Sequence, residues 1–404
     1  MRFQAKQIVV SPETTIENGL ITVRDGIITD VSKSQTPSDQ NIDLGSGTLV
    51  PGFVNAHTHL EFSCLEKPLG RPGMPFTDWL KEVIAWRMQA FESSASKTNA
   101  IRQGLAESSA AGVVAVGEIA TLPVEATVYD DTELSNVLFL ERISRSADRF
   151  PALIEESEDW LARNGNANDS SNLCAISPHA PYSVHPELLQ QLVKRAEDSR
   201  VPVAMHLAET REELGLLSNQ TGPFVAFLES VGAWNPATYR AGETILDYLK
   251  LLANAPRALV IHGNYLQPKE IDFIATNRDR MSVVYCPRTH AYFDHEPYPL
   301  EPLLTAGVNV AIGTDSRASN PDLSIYQELK LIKQRYPEMS DRQILTLGTE
   351  NSARALGLRN AGANIATIKE GRPADFNLIT DCQDQGGWFG ESSSMLPFSQ
   401  FSTN

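Results

Sequence analysis

The chain has 404 residues, 42% of them hydrophobic, and carries 34 Lys and Arg against 50 Asp and Glu. That length and apolar content support a large buried core, organised as one big unit plus a smaller one. A formal charge of −16 repels phosphate backbones, which argues against nucleic acid or an anionic membrane as partner and favours a small molecule.

The first seven residues contain no apolar run of signal-peptide length, and no later segment approaches the uninterrupted apolar stretch of a membrane helix. The expected compartment is the cytoplasm. Cys64, Cys174, Cys286 and Cys382 are scattered without a CxxC pair, the pattern of reduced thiols. Cys286 lies in an apolar run and is expected in the core.

In chain order, short strand candidates come first, at 7–10, 20–23, 26–31 and 41–44, separated by turn residues such as Asp25-Gly26. From residue 49 onward eight β-rich apolar runs follow, at 49–60, 113–119, 137–143, 173–177, 201–207, 258–262, 281–285 and 308–313. Several are nearly continuous in apolar residues, as strands buried on both faces must be. Amphipathic helices fit between them at 78–90, 186–197 and 323–335, and polar interruptions at 93–99 and 164–172 read as exposed connections. Eight βα repeats predict an α/β fold, a closed (β/α)8 TIM barrel over residues 51–358. Strand-like runs return at 364–368 and 375–379. Residues 1–50 and 359–404 therefore form a small β-sandwich domain built by both termini, with a polar, poorly ordered tail from about Asp381.

Reacting groups in a βα barrel sit at the carboxyl ends of the strands. The first run ends in His57-Thr58-His59, which puts two imidazoles on one face of an extended segment. The fifth ends in His206 and is followed by Glu209, the sixth ends in His262, and the eighth leads into Asp315. A lone His at a strand end is usually a satisfied polar residue, but four with a closing Asp point at one cavity. Neutral imidazoles and a carboxylate are metal-ligand types.

The motifs PGFVNAHTHLEF, SPHAPYSVHPELL, HLAETREE, HGNYL and GTDSRASNPDLS run nearly end to end, and with them the chain resembles the amidohydrolase superfamily, in its group of metal-dependent deaminases and chlorohydrolases. The resemblance implies that His57, His59, His206 and Asp315 hold the metal and that Glu209, His262 and Asp315 act in catalysis. Three imidazoles and one carboxylate suit Zn2+, or Fe2+ or Mn2+, and leave a position for water, whose pKa zinc lowers from 15.7 to about 7. A second metal in this superfamily needs a carboxylated Lys on strand four, and 173–177 contains none, so one ion is expected. Glu209 could instead be a solvated loop carboxylate like Glu212 and Glu213; the His-Leu-Ala-Glu motif favours a proton-transfer role. The H-x-E and P-C-x-x-C signature of the other zinc deaminases is absent.

Glu209 favours deamination of a cyclic amidine, because a ring nitrogen must gain a proton as water adds. By His59-Leu-Glu-Phe-Ser63 and the run from Cys286 to Phe293, the closest resemblance is to aminodeoxyfutalosine deaminases of the menaquinone route. Adenosine, methylthioadenosine, adenosylhomocysteine and guanine deaminases and triazine hydrolases remain alternatives, with a catalytically silent scaffold more remote. Expected substrate contacts are Glu118, Arg142, His179, Arg288 and His290 at other strand ends, with Arg288 the choice for a substrate carboxylate. Glu118 and Arg142 could equally form a structural ion pair, His185 could begin a helix, and Trp79 and Trp86 read as packing residues. The expected partner is a heterocyclic amine, with a homodimer left open.

Overall fold

Strand alternation in the opening segment puts Phe3, Ala5 and Ile8 on one buried face of β1 (Arg2–Ser11). In the computed structural model, which describes residues 1–33, 41–90, 94–124, 126–163, 172–240, 242–358, 365–381 and 387–402, β1 pairs antiparallel with β2 (Thr14–Arg24), and β2 with β3 (Ile27–Lys33). Two short strands, β4 (Ile42–Asp43) and β5 (Thr48–Pro51), lie parallel to β1.

The predicted run 49–60 is two strands. Gly52, whose amide donates to Asp375 O at 2.9 Å, separates β5 from β6 (Phe53–Thr58). Both halves are fully buried, so continuous apolarity hid the break. From β6 the chain builds a parallel sheet through β7 (Val113–Ala120), β8 (Ser135–Arg142), β9 (Asn172–Pro178), β10 (Val203–Leu207), β11 (Ala258–His262), β12 (Met281–Tyr285) and β13 (Asn309–Ile312), in sequential order. A parallel bridge between Thr58 and Asp315 draws its two edges together, making the eight-stranded barrel. Buried Asn55 clips that seam: its Nδ2 donates to Thr314 Oγ1 at 2.8 Å and its Oδ1 accepts the Thr314 amide at 3.1 Å. Gly313 is needed there, since a Cβ would stand 2.8 Å from both Cβ and O of His57.

The helices that matter to the site are α1 (Phe76–Ala90), α2 (Ser94–Ala110), α3 (Phe150–Ala162), α4 (Pro186–Ser199), α5 (Arg211–Asn219) and α6 (Pro223–Ser230). His185 caps α4, its ring accepting the Glu187 amide. The interruption expected at 93–99 is helical from Ser94, and 164–171 lie outside the described residues. Among the described residues no helix is long and apolar enough to cross a membrane.

The C-terminal segment returns to the first sheet. There β14 (Phe376–Thr380) pairs antiparallel with β5, and β15 (Ser394–Pro397) with β14, completing one seven-stranded mixed sheet. The strand expected at 364–368 is absent over its described part; the Ile368 amide donates to Val10 O at 3.1 Å without extending a ladder. Of the tail expected to be poorly ordered from about Asp381, residues 382–386 and 403–404 lie outside the described residues, and the described part carries regular structure. Behind β15 a helical turn carries Phe398 and Phe401 onto Phe3 and Phe376, so two aromatics outweigh the Ser-rich composition around them.

Candidate active site

The carboxyl ends of β6, β10, β11 and β13 bring four imidazoles and a carboxylate into mutual contact. Asp315 Oδ1 lies 3.7 Å from Nε2 of both His57 and His59, and His59 Nε2 is 3.3 Å from His206 Nε2. Two sets of possible ligand atoms result, His57 with His206 and His262, and His57 with His59 and Asp315, each within 4.8 Å. A third set, Glu141 with His179 and His206, borrows from the two preceding strands. The orientations are imposed from behind. His206 Nδ1 is 3.0 Å from the His179 carbonyl, leaving Nε2 to face inward, and Ser319 Oγ donates to Asp315 Oδ2 at 3.2 Å, leaving Oδ1 for the cluster.

These residues fit a divalent cation. Both ring nitrogens of His57 and Nδ1 of His59 are buried with no hydrogen-bond partner, a condition that buried polar atoms rarely tolerate without a ligand. Burial holds His59, His206 and His262 well below the ordinary histidine pKa, so the rings are neutral, as coordination requires. For Asp315 burial acts upward, but the His57 contact and the neighbouring imidazoles outweigh it and hold the carboxyl well below its usual value. Ala208, His262 and Asp315 all adopt φ between 53° and 66°, a left-handed conformation that non-glycine residues adopt at a cost and that clusters at functional sites.

Glu209 stands beside the cluster, its Oε1 3.3 Å from His262 Nε2. Burial, followed by the charges of Asp315 and Glu213, raises its pKa well above the ordinary value, the direction that suits a proton donor. Glu213 is not the solvated carboxylate expected from sequence. It is buried and accepts the amides of Ala208 and Glu209 at 3.1 and 2.8 Å, with its pKa pushed up by burial to about 7.

A cavity of about 630 Å³ opens above these groups, a usual size for a small-molecule site. His59, His206, Glu209, His262 and Asp315 lie at its inner end. Its walls come from α1, the loops after β8 and β9, and the α5–α6 excursion after β10. Phe224 of α6 holds that roof together by stacking on Tyr182 at 4.4 Å between centroids and packing against Phe76. Trp79 packs on Phe76 and Phe293, donates Nε1–H to Ala318 O at 3.2 Å, and also lines the cavity, whereas Trp86 packs on Phe62.

Of the expected substrate contacts, the structure places only His179 in the cavity. Glu118 lies beneath the site and accepts the Leu60 amide at 2.9 Å, bracing the segment after His59. Arg142 faces outward onto α3, where it meets Ser157 and Glu156, not Glu118. Arg288 is held bidentately by Asp322 at 2.7 and 3.0 Å, because the helical turn after Pro287 carries it away from the cavity. His290 is buried behind β12, with Nε2 2.9 Å from Glu296 O and Nδ1 3.2 Å from Arg335. Sequence reasoning missed Glu141, Ser183 and Arg149, which all line the cavity. Strand alternation held the signal for the first: with Arg142 outward, Glu141 must point inward.

A match to the amidohydrolase family covers residues 48–395, and the chain belongs to that family. Among curated relatives, the 5-methylthioadenosine/S-adenosylhomocysteine deaminase of Pyrococcus furiosus is 28% identical over 393 residues, covering 92% of this chain and 84% of the relative. Among solved structures, aminofutalosine deaminase of Helicobacter pylori with methylthio-coformycin superposes with a TM-score of 0.78 at 22% identity, over 95% of this chain and 94% of that one. A zinc-bound adenosine deaminase from Xanthomonas campestris gives a TM-score of 0.70 at 25% identity, over 94% and 84%.

Proposed function

We propose that this chain is a mononuclear metal-dependent hydrolase that removes the exocyclic amino group of an adenine nucleoside. The single observation behind this reading is the convergence of His57, His59, His206, His262 and Asp315, with Glu209 beside them at 3.3 Å from His262, on one cavity that all but His57 line. In it His57, His59, His206 and Asp315 hold the ion, zinc by preference.

A bound divalent cation acts as a Lewis acid and lowers the pKa of water toward 7. Asp315, holding the ion through Oδ1, would take the proton from the attacking water on its other carboxylate oxygen, and His262, 3.3 Å from Glu209, would orient that water. Glu209 gives its proton to the ring nitrogen next to the carbon under attack. Proton return through Glu209 and Asp315 to the exocyclic amine lets ammonia depart and leaves the ring carbonyl. Burial of all these groups excludes bulk water from the exchange.

Within adenine nucleosides the outer half of the cavity favours aminodeoxyfutalosine, whose sugar carries an aromatic carboxylate. Ile84, Ile143 and Val231 are exposed apolar residues at its mouth, suited to a ring, and exposed Arg149 stands on the same rim, suited to the carboxylate in place of Arg288. An ammonia-release panel of aminodeoxyfutalosine, adenosine, methylthioadenosine, adenosylhomocysteine, guanine and an aminotriazine tests the reading, with chloride release from a chlorotriazine alongside. Turnover should be highest for aminodeoxyfutalosine; release only from the triazines or guanine would overturn the nucleoside assignment.

A further inference from the structure

His262 ends β11 in the left-handed region, with φ at 66°, a conformation that persists only where the surroundings hold it. The ladder between β11 and β12 stops one residue earlier, at Ile261 with Val284. Past that point the His262 carbonyl accepts the Tyr298 hydroxyl at 2.9 Å, and the next amide, Gly263 N–H, donates to Leu207 O at 3.1 Å. One peptide group is thus gripped from two neighbours, β10 and the connection that follows β12.

Tyr298 reaches that carbonyl from a placement of its own. Its ring is buried and stacks on Tyr285 at 3.7 Å between centroids and 13° between planes, with the His290 ring edge-on at 5.7 Å. Its backbone carbonyl accepts the Leu300 amide at 2.8 Å and the Tyr336 hydroxyl at 3.2 Å. The turn bearing Glu209 has separate ties: Glu213 takes two of its amides, Tyr265 N–H donates to Ala208 O at 3.0 Å, and Asn264 Nδ2 donates to Glu209 O at 3.0 Å. Freedom released at the Tyr298 bond therefore falls on His262, whose Nε2 stands 3.3 Å from Glu209 Oε1. A peptide free to rotate there lets the residue relax out of the left-handed region and turns the imidazole off that contact.

We infer that Tyr298 is a positioning residue, its hydroxyl holding the His262 peptide and, through it, the direction of the imidazole. Tyr298 itself is not part of the cavity wall, so it acts on the reaction only through His262. The inference rests on the water-orienting role proposed above for that histidine.

The test is a double-mutant cycle on the metal-loaded protein with adenosine as substrate. Tyr298→Phe keeps the ring and its stack and removes one oxygen. It should lower kcat by about 10- to 100-fold, with KM within about twofold of wild type and metal content unchanged. In a His262→Ala background the carbonyl remains but the imidazole does not, and the same substitution should change kcat by less than about twofold. A purely structural hydroxyl would cost as much in both backgrounds, and that result overturns the assignment, as does a wild-type rate in Tyr298→Phe or a variant that does not fold. Ring-nitrogen NMR of histidine-labelled protein reads the imidazole without turnover: the signal that His262→Ala removes should move in Tyr298→Phe. If it moves while wild type releases no ammonia from any nucleoside, the positioning stands and the deaminase reading falls. An unmoved signal overturns the positioning whatever the rates.

Discussion

Glu213 accepts the backbone amide of Glu209 at 2.8 Å, so one buried carboxylate fixes the position of another. The Glu209 side chain is thereby aimed at His262, with its loop tied down at two amides.

Replacing the proton carrier without disturbing this frame separates its chemistry from its packing. Glu209→Gln should keep its metal and lose about 10²- to 10⁴-fold in turnover. Steady-state ammonia release alongside metal analysis checks it, and wild-type rates would remove Glu209 from the mechanism.

The ligand assignment makes a graded prediction about metal content. His57→Ala should lower the stoichiometry outright. Ser319→Ala, which removes the hydrogen bond to Asp315 Oδ2 together with the contact to Thr289 Oγ1, should weaken affinity by about 10- to 100-fold. Chelator competition measures the second, and unchanged stoichiometry in the first would mean the site is misassigned.

Barrel closure at Gly313 predicts a coupled loss. In Gly313→Ala the new methyl meets the His57 backbone at 2.8 Å, so a strand must shift at a cost of about 1–3 kcal/mol. Urea unfolding should register that loss together with reduced metal binding, since the displaced strand carries the first imidazole. Full stability and full metal content would show that the seam yields freely.

Glu328 predicts the pH dependence of stability. Burial, opposed by Arg288 and Asn320, lifts its pKa from 4.5 to about 8. A group raised on folding stabilises fully below its unfolded value and loses that contribution as pH climbs through the folded one. The melting temperature should therefore fall between about pH 5 and 9, and Glu328→Gln should flatten the decline. An identical profile in the variant would exclude this carboxyl.

The barrel was legible because strands buried on both faces leave apolar runs: 258–262 and 281–285 match β11 and β12 to the residue. The gathering of His57, His59, His206, His262 and Asp315 followed from strand ends alone. The cavity wall was not legible in this way. Arg142 and Glu141 are adjacent, and alternation says that they face opposite ways, but which of the two faces the cavity depends on the strand's register in the barrel, which the local sequence does not record. Arg288 failed for a different reason: Asp322 and Glu328, which capture it, lie 34 and 40 residues downstream. Tail burial also escaped, since Phe398 and Phe401 find their partners in Phe3 and Phe376 at the far end of the chain.

Pairing of β5 with β14 has a consequence for biosynthesis. A nascent chain emerging from the ribosome exposes β5 more than three hundred residues before its neighbour exists, and an open edge of that kind invites association with other chains. The segment leading directly into the first imidazoles thus stays unguarded until β14 has been made. A prematurely terminated product lacking residues 376–402 should aggregate or be degraded rather than accumulate as a partly active enzyme.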